Sequence, residues 1–386
     1  MLISADCVVT NQEVLRPGWI EIDYGRIVGL GAGLPPRPAD VGPSGLTIVP
    51  GFVDTHVHGG GGATFSDATR DATLAAVELH RAHGTTSLVA SLVSAPPEEM
   101  LRQVDVLASH VHDGLLSGIH LEGPWLSPHR CGAHEPTALR PPELAELDAV
   151  RAAGRGTIRM ITLAPELDGA DEVIRRIVDM GAVAAIGHTD ATYDQTRIAI
   201  EAGATVGTHL FNAMRPVHHR EPGPVVALLQ DERVTVEMIA DGVHLHPALY
   251  QEVLARAGRG RVSLVTDAMA AAGMPDGAYE LGPLAVDVVE GIARLAGAET
   301  IAGSTATMDT MFRCAVAHAG PDRDQALLSA VHQSSIVPAR ALGLPPAGLR
   351  TGAAADLVVL DDALGVISVM RQGAWGDDRA GGLSAR

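Results

Sequence analysis

The stretch VPGFVDTHVHGGGG (49–62) sets two histidines, His56 and His58, one residue apart at the end of an apolar run. Residues i and i+2 of a strand project to the same face, so Asp54, His56 and His58 share one side. Two imidazoles converging there are the donor arrangement of a metal ion; a pair of surface histidines closing a strand is the plainer alternative. Similar residues recur at the ends of later apolar runs. Glu122 ends GIHLEGPWL, His188 lies in AAIGHTDA, His209 in VGTHLFNAM, Asp241 and His244 in MIADGVHLHP, and Asp267 in SLVTDAM. Imidazole and carboxylate without thiolate suit a divalent Zn, Fe, Mn or Co ion. Such an ion keeps positions open for water, whose pKa falls to about 7 on zinc. Glu122 is the natural anchor, and a bridge if two ions bind; His188 and His209 complete that site, and His56 and His58 hold the second. Asp267 is best placed to take a proton from the activated water and to return it to a leaving amine.

Composition narrows the chemistry further. All 28 basic residues are arginine. A Schiff-base lysine, a P-loop lysine, a pyridoxal-phosphate lysine and a carboxylated lysine bridging two metals are therefore excluded. The net charge of −18 argues against nucleic acid and anionic membranes as partners. An anionic small substrate then needs a local cationic pocket, and RPVHHREPG (215–223) offers Arg215 and Arg220 with two histidines. The three cysteines, Cys7, Cys131 and Cys314, are odd in number and widely spaced, which fits a reducing cytoplasm. No apolar run is long enough to span a membrane, and the first residues read as a strand rather than a signal peptide.

The elements that must position these residues form a repeating pattern. Apolar, β-rich runs at 48–56, 85–93, 116–121, 158–163, 182–187, 205–210, 234–240 and 262–266 alternate with helical segments, and a long helical stretch covers 304–343. Strand–helix units in that number predict an α/β fold, a (β/α)8 TIM-type barrel, whose functional residues gather at the strand C-termini. The six candidate ligands, His56, His58, Glu122, His188, His209 and Asp267, fall at those ends, on five different strands. Alternating segments over 1–48 and 349–386, each too small for a core, predict one small β-sandwich built from both chain ends, with 49–348 as the catalytic barrel. Residues 275–300 read as an inserted hairpin. His246 is placed to cap a helix at Pro247, while Asp276 and His134 have no assigned role. Pro124 and Trp125, after Glu122, suit either the floor of a sugar site or the core.

Together PGFVDTHVHG at a first strand, two later histidines and an aspartate on the last strand resemble the amidohydrolase superfamily. HLEGPWL and GAH (120–134), IGHT (186–189), THLFNAM (208–214), REPG (220–223), IADGVHLHP (239–247), LVTDAM (264–269) and IAGST (301–305) are similar, in order and over almost the whole chain, to the N-acetylglucosamine-6-phosphate deacetylases. The resemblance implies hydrolysis of N-acetylglucosamine 6-phosphate to glucosamine 6-phosphate and acetate. It assigns Glu122, His188 and His209 to the principal metal site, Asp267 to the catalytic acid and base, and His244 to the acetyl carbonyl in the transition state. Ala133, Asn212, Ala213, Ile301, Ala302 and Gly303 match sugar and acetyl contacts. Arg220, with His219 beside it, matches a phosphate-binding arginine supplied across a homodimer. Relatives that keep both first-strand histidines can bind two ions, so two metal sites are expected. Cys131, in the loop SPHRCGAHEP, is expected to help position substrate as that loop closes; an incidental loop thiol is the alternative. Other readings are a deacetylase of a related phosphosugar, such as N-acetylgalactosamine 6-phosphate, and a non-catalytic scaffold on the same fold.

Overall fold

The computed structural model describes residues 1–42 and 45–376. Its centre is an eight-stranded parallel sheet in which each strand pairs with the next in chain order. The strands are β1 (Phe52–Val57), β2 (Thr85–Leu92), β3 (Gly118–Glu122), β4 (Ile158–Leu163), β5 (Val183–Ile186), β6 (Val206–Gly207), β7 (Thr235–Met238) and β8 (Val262–Leu264). Every apolar run read from the sequence supplies one of them. Their residues are almost all buried because the barrel interior lies on one side and a layer of helices on the other. β1 and β8 meet just beyond the ladder, where Asp267 N–H donates to His56 O (2.8 Å) and His58 N–H to Ala268 O (2.7 Å). The Thr266 hydroxyl donates to Asp54 Oδ2 (2.5 Å), so Asp54 closes the barrel seam.

The covering helices are α1 (Arg70–Ala82), α2 (Pro97–His112), α3 (Leu144–Gly154), α4 (Ala170–Asp179), α5 (Tyr193–Ala202), α6 (Gly223–Gln230), α7 (Pro247–Ala257) and α8 (Met308–His318). Their starts follow local chemistry. Thr192 and Gln195 form a reciprocal capping box at α5, and the His246 side chain accepts from Ala248 N–H at α7, as its place before Pro247 predicts. The stretch 304–343 is not one helix. Gly320 and Pro321 break it after α8, and helices Arg323–Val331 and Val337–Ala341 follow, joined by a π-helical turn over His332–Ile336. The last of these segments plugs the barrel, with Ala339, Leu342 and Leu344 packed on Val53, Val89, Met160, Ala185 and Val206.

Two further sheets come from the chain ends. Leu2–Ala5, Gly18–Asp23 and Arg26–Ala32 make one. The other contains Cys7–Val9, Val14–Leu15, Thr47–Pro50, Leu357–Leu360, Val366–Arg371 and Ala374–Trp375. Ile3, Val8, Ile20, Ile27, Ile48, Leu357 and Met370 fill the core between them. Thr47–Pro50 pairs antiparallel with Leu357–Leu360, so early and late chain share one ladder. The part of the expected C-terminal segment beyond residue 376 lies outside the described residues.

The insertion differs from the expected hairpin: Gly277–Leu281, Leu284–Val289 and Ile292–Leu295 form three strands. The carboxylate of Asp276 accepts from the backbone N–H of Glu290 (2.6 Å) and Gly291 (3.0 Å), fixing the second turn and giving Asp276 a structural role. Leu281, Val286, Val288 and Ala302 then pack on Val93, Ala133 and Met269, which carries residues 299–303 to the barrel mouth.

His80 of α1 gives the fold an acid-sensitive point. Its ring is fully buried, and Nε2–H donates to Gly59 O (2.9 Å). Burial holds the imidazole down at about 4, against an ordinary 6.5. Below pH 6.5 the unfolded chain takes up a proton that the folded chain refuses, so this contribution is lost as pH falls towards 4. Thermal unfolding of His80→Gln, which keeps a donor, should show that acid-side decline reduced by up to about 3 kcal/mol.

Candidate metal centre and substrate cavity

Three of the clustered side chains follow a sharp reversal of the chain. His188, His209 and Asp267 stand just past β5, β6 and β8 with left-handed backbone, φ 46°, 25° and 49°. Such conformations cost about 1–3 kcal/mol each outside glycine and concentrate at functional sites. Glu122 is the last residue of β3, His56 lies near the end of β1 and His58 directly follows it. Gly132 permits close approach of the next loop: a Cβ there would stand 3.0 Å from His188 Cε1, at a φ of +57°.

Glu122 is the hub. Its Oε1 lies 2.8 Å from His209 Nε2, 3.1 Å from His188 Nε2 and 3.4 Å from His56 Nε2. Its Oε2 lies 3.1 Å from His58 Nε2 and 3.3 Å from His134 Nε2. Asp267 Oδ1 stands 3.1 Å from His58 Nε2 and 3.4 Å from His56 Nε2. The donor atoms of His56, His58, Glu122 and Asp267 all lie within 4.8 Å of one another, and so do those of Glu122, His134 and His188. Glu122 belongs to both groups.

The cluster calls for positive charge. Burial raises the Glu122 carboxyl, but His56 and His188 outweigh it and hold it well below the usual range. Asp267 is likewise lowered, with burial overcome by His56 and His58. Burial pulls His58 down, yet Asp267 and Glu122 lift it to about 9, and the same carboxylates hold His56 well above its ordinary value. Nε2 atoms face one another at 3.2 Å between His56 and His58 and at 3.1 Å between His188 and His209. A cation is what such opposed lone pairs and paired carboxylates accommodate, and nitrogen with oxygen donors suits a divalent metal.

Supporting groups orient these donors, as a metal's outer shell does. His56 Nδ1 lies 3.2 Å from Glu237 Oε2, and His188 Nδ1–H donates to Arg130 O (2.9 Å). Beneath His56, His120 stacks edge-on with centroids 4.5 Å apart and joins Ser91 and Thr162 (2.9 and 2.8 Å) in a buried chain. Apart from the cluster, His244 Nδ1 is paired with Asp241 Oδ2 at 2.7 Å. Its pKa is raised because Asp241 overcomes burial.

A cavity of about 440 Å3 opens over the cluster. His58, Glu122, His188, His209, His244 and Asp267 line it, with Ala133, Asn212, Ala213, Ile301 and Gly303 from the sequence-derived substrate set. Ala302 is buried beside them. Not every expected residue arrives. Arg220 is exposed, with Nη1 2.8 Å from His219 Nε2, and neither residue lines this chain's cavity. Cys131 is half-buried and its carbonyl accepts from His134 N–H (3.1 Å), but it is absent from the cavity wall. Trp125 is 1% exposed and its indole N–H donates to Glu146 Oε2 (3.1 Å), so it belongs to the core and is no sugar platform. Sequence reasoning missed His134, Glu237 and Arg130. Glu237 carried a usable signal, an acid inside the apolar run VTVEMIA. His134 and Arg130 lie in an irregular loop whose path no periodicity encodes.

A barrel with histidine and carboxylate donors at its strand ends defines a metal-dependent hydrolase class, and the chain belongs to the amidohydrolase family, whose profile matches residues 47–376. More particular likenesses follow. A D267A mutant of N-acetyl-D-glucosamine-6-phosphate deacetylase from Mycobacterium smegmatis, solved in complex with N-acetyl-D-glucosamine-6-phosphate, is 63% identical, with a TM-score of 0.96 over 97% of this chain and 98% of that one. The N-acetylglucosamine-6-phosphate deacetylase of Mus musculus is 38% identical over 87% of this chain and 85% of its own. The N-acetylgalactosamine-6-phosphate deacetylase of Escherichia coli O157:H7 is 37% identical over 92% and 95%.

Proposed function

We propose that this chain is a metal-dependent deacetylase that hydrolyses N-acetyl-D-glucosamine 6-phosphate to D-glucosamine 6-phosphate and acetate. The observation that carries the reading is Glu122 flanked by imidazoles on both oxygens, with Asp267 in the same cluster, beneath an open cavity. His56, His58, Glu122, His188, His209 and Asp267 would hold one or two ions, of Zn, Fe, Mn or Co. A bound ion supplies Lewis acidity, polarising the acetamide carbonyl and acidifying a water.

The chain's own groups do the rest. Asp267, held ionised, accepts the proton of the attacking water and delivers it to the departing amine. His244 is oriented by Asp241 through Nδ1, which leaves Nε2–H to donate to the developing oxyanion of the acetyl group. Ala133, Asn212, Ala213, Ile301, Ala302 and Gly303 hold the sugar and the acetyl group. Arg220, with His219, binds the phosphate of substrate held by a second copy in a homodimer; its exposure beside Val217, itself 54% exposed, supports an interface role. The reading includes a cytoplasmic location and a place in amino-sugar or cell-wall recycling metabolism; among the described residues no helix is long and apolar enough to cross a membrane.

Metal quantification on purified protein, with acetate release from phosphorylated and unphosphorylated N-acetylglucosamine, tests the proposal; metal-free protein that still releases acetate would sink it. The likeness to the E. coli N-acetylgalactosamine-6-phosphate deacetylase supports a second reading, in which the 4-epimer is preferred. Comparing kcat/KM on the two phosphosugars separates them. Arg220→Ala should raise KM for the phosphosugar by roughly 10–100-fold, the size of lost charge-assisted hydrogen bonds, and change turnover of the unphosphorylated sugar far less. Equal KM effects on both sugars would remove Arg220 from phosphate recognition.

A further inference from the structure

Two neighbouring arms of chain line the cavity: the loop 127–134, carrying Ala133 and His134, and the segment 209–215, carrying Asn212 and Ala213. One carboxylate ties them together. Asp190 Oδ1 accepts from Arg130 Nε (2.9 Å) and Nη2 (2.8 Å), while Oδ2 accepts from Arg215 Nη2 (2.8 Å). The three side chains are only a quarter to a third exposed, at 25%, 32% and 26%. Asp190 is anchored in turn, since Glu166 accepts from its backbone N–H (2.6 Å) and from the Thr189 hydroxyl (2.5 Å).

Apart from the Asp190 pairs, a few hydrogen bonds fix each arm. The 127–134 loop is held by Ser127 N–H to His188 O (2.9 Å) and His188 Nδ1–H to Arg130 O (2.9 Å). The other arm is held by Leu210 N–H to Glu237 O (2.8 Å), Thr189 N–H to Ala213 O (3.0 Å) and Arg215 N–H to Thr189 O (2.9 Å). After Arg130 the loop passes through Gly132, a residue with wide conformational freedom, before it reaches the cavity at Ala133. Beyond the Arg130 carbonyl the next hold outside the loop is at His134, whose Nδ1 accepts from Ser94 N–H (3.2 Å), so the Arg130 side chain restrains the turn between them.

Resting on the deacetylase reading, we propose that Asp190 is a positioning residue that sets the two arms against each other through Arg130 and Arg215. It touches no reacting atom. It keeps Ala133 and His134 in register with Asn212 and Ala213, so that substrate meets a preformed cleft. A guanidinium fork held by one carboxylate at two nitrogens gives the angular restraint such a role needs.

Asp190→Asn preserves shape and removes the charge. KM for N-acetylglucosamine 6-phosphate is expected to rise roughly tenfold, with kcat within about threefold of wild type, because positioning is lost and chemistry is not. Calorimetry with glucosamine 6-phosphate should show a parallel loss of affinity, and Asp190→Glu should recover part of both. Arg130→Met should raise KM similarly and add little when combined with Asp190→Asn. An unchanged KM in Asp190→Asn overturns the inference. So does a fall in kcat and melting temperature with KM unmoved, the mark of a merely structural role. Wild-type protein that releases no acetate overturns the deacetylase reading itself; acetate release by wild type with an unmoved KM in the variant overturns only the tether.

Discussion

Asp267→Asn is expected to lower kcat on N-acetylglucosamine 6-phosphate by about 10^3–10^4-fold while KM stays within a few-fold. The reason lies in what surrounds the carboxylate. Asp267 is 9% exposed, and His56 and His58 overcome the cost of its burial to keep it ionised. An ionised acid at the edge of the cavity can accept a proton from water and pass it on. Asparagine fills the same volume and accepts none. In the proposed reading other groups bind the sugar and phosphate, so ground-state affinity has little reason to change. Asp267 also lies within reach of the metal cluster, and metal content must be measured on the variant beside its kinetics. A kcat reduced less than tenfold in protein of full metal content would take the proton-transfer role away from Asp267.

Removing the metal should have the other large effect. Dialysis against a strong chelator is expected to reduce turnover on the order of 10^3-fold or more, as the loss of several kcal/mol of charge stabilisation implies, and re-addition of a divalent ion should restore it. The melting temperature should fall in parallel, because an ion that binds only the folded chain stabilises it by mass action. Glu122→Gln should produce both effects without a chelator. It removes a charge that two groups of donors share, and leaves buried imidazoles without their common partner. Full activity in protein shown to be free of metal would contradict this account at its root.

Much of this was legible in the sequence, for physical reasons that differ by residue. The barrel strands announced themselves because a strand buried on both faces must be apolar throughout, and Gly, Pro and charged turns bracket each run. Glu122, His188, His209 and Asp267 were legible because polar residues at the ends of such runs are out of place in a core and in place at a barrel mouth. Asp54 was legible as a member of the His56 face but not in its role, since its partner Thr266 is more than two hundred residues away. The third strand of the insertion depended on Asp276 bracing a turn, a contact that alternation does not encode. The reach of Arg130 and Asp190 across two loops was not legible at all. Loops carry no period, and a surface arginine reads the same whether it faces water or a carboxylate.

The shared ladder of Thr47–Pro50 with Leu357–Leu360 has a bearing on biogenesis. A ribosome delivers the first of these strands long before the second exists. Throughout synthesis of the barrel, an apolar segment waits with an unsatisfied edge, open to any other nascent chain that offers one. Only when Leu357–Leu360 and the strands after it emerge can the small lobe knit itself together. Production of this protein should therefore be limited by how well the cell shelters its beginning until its end arrives.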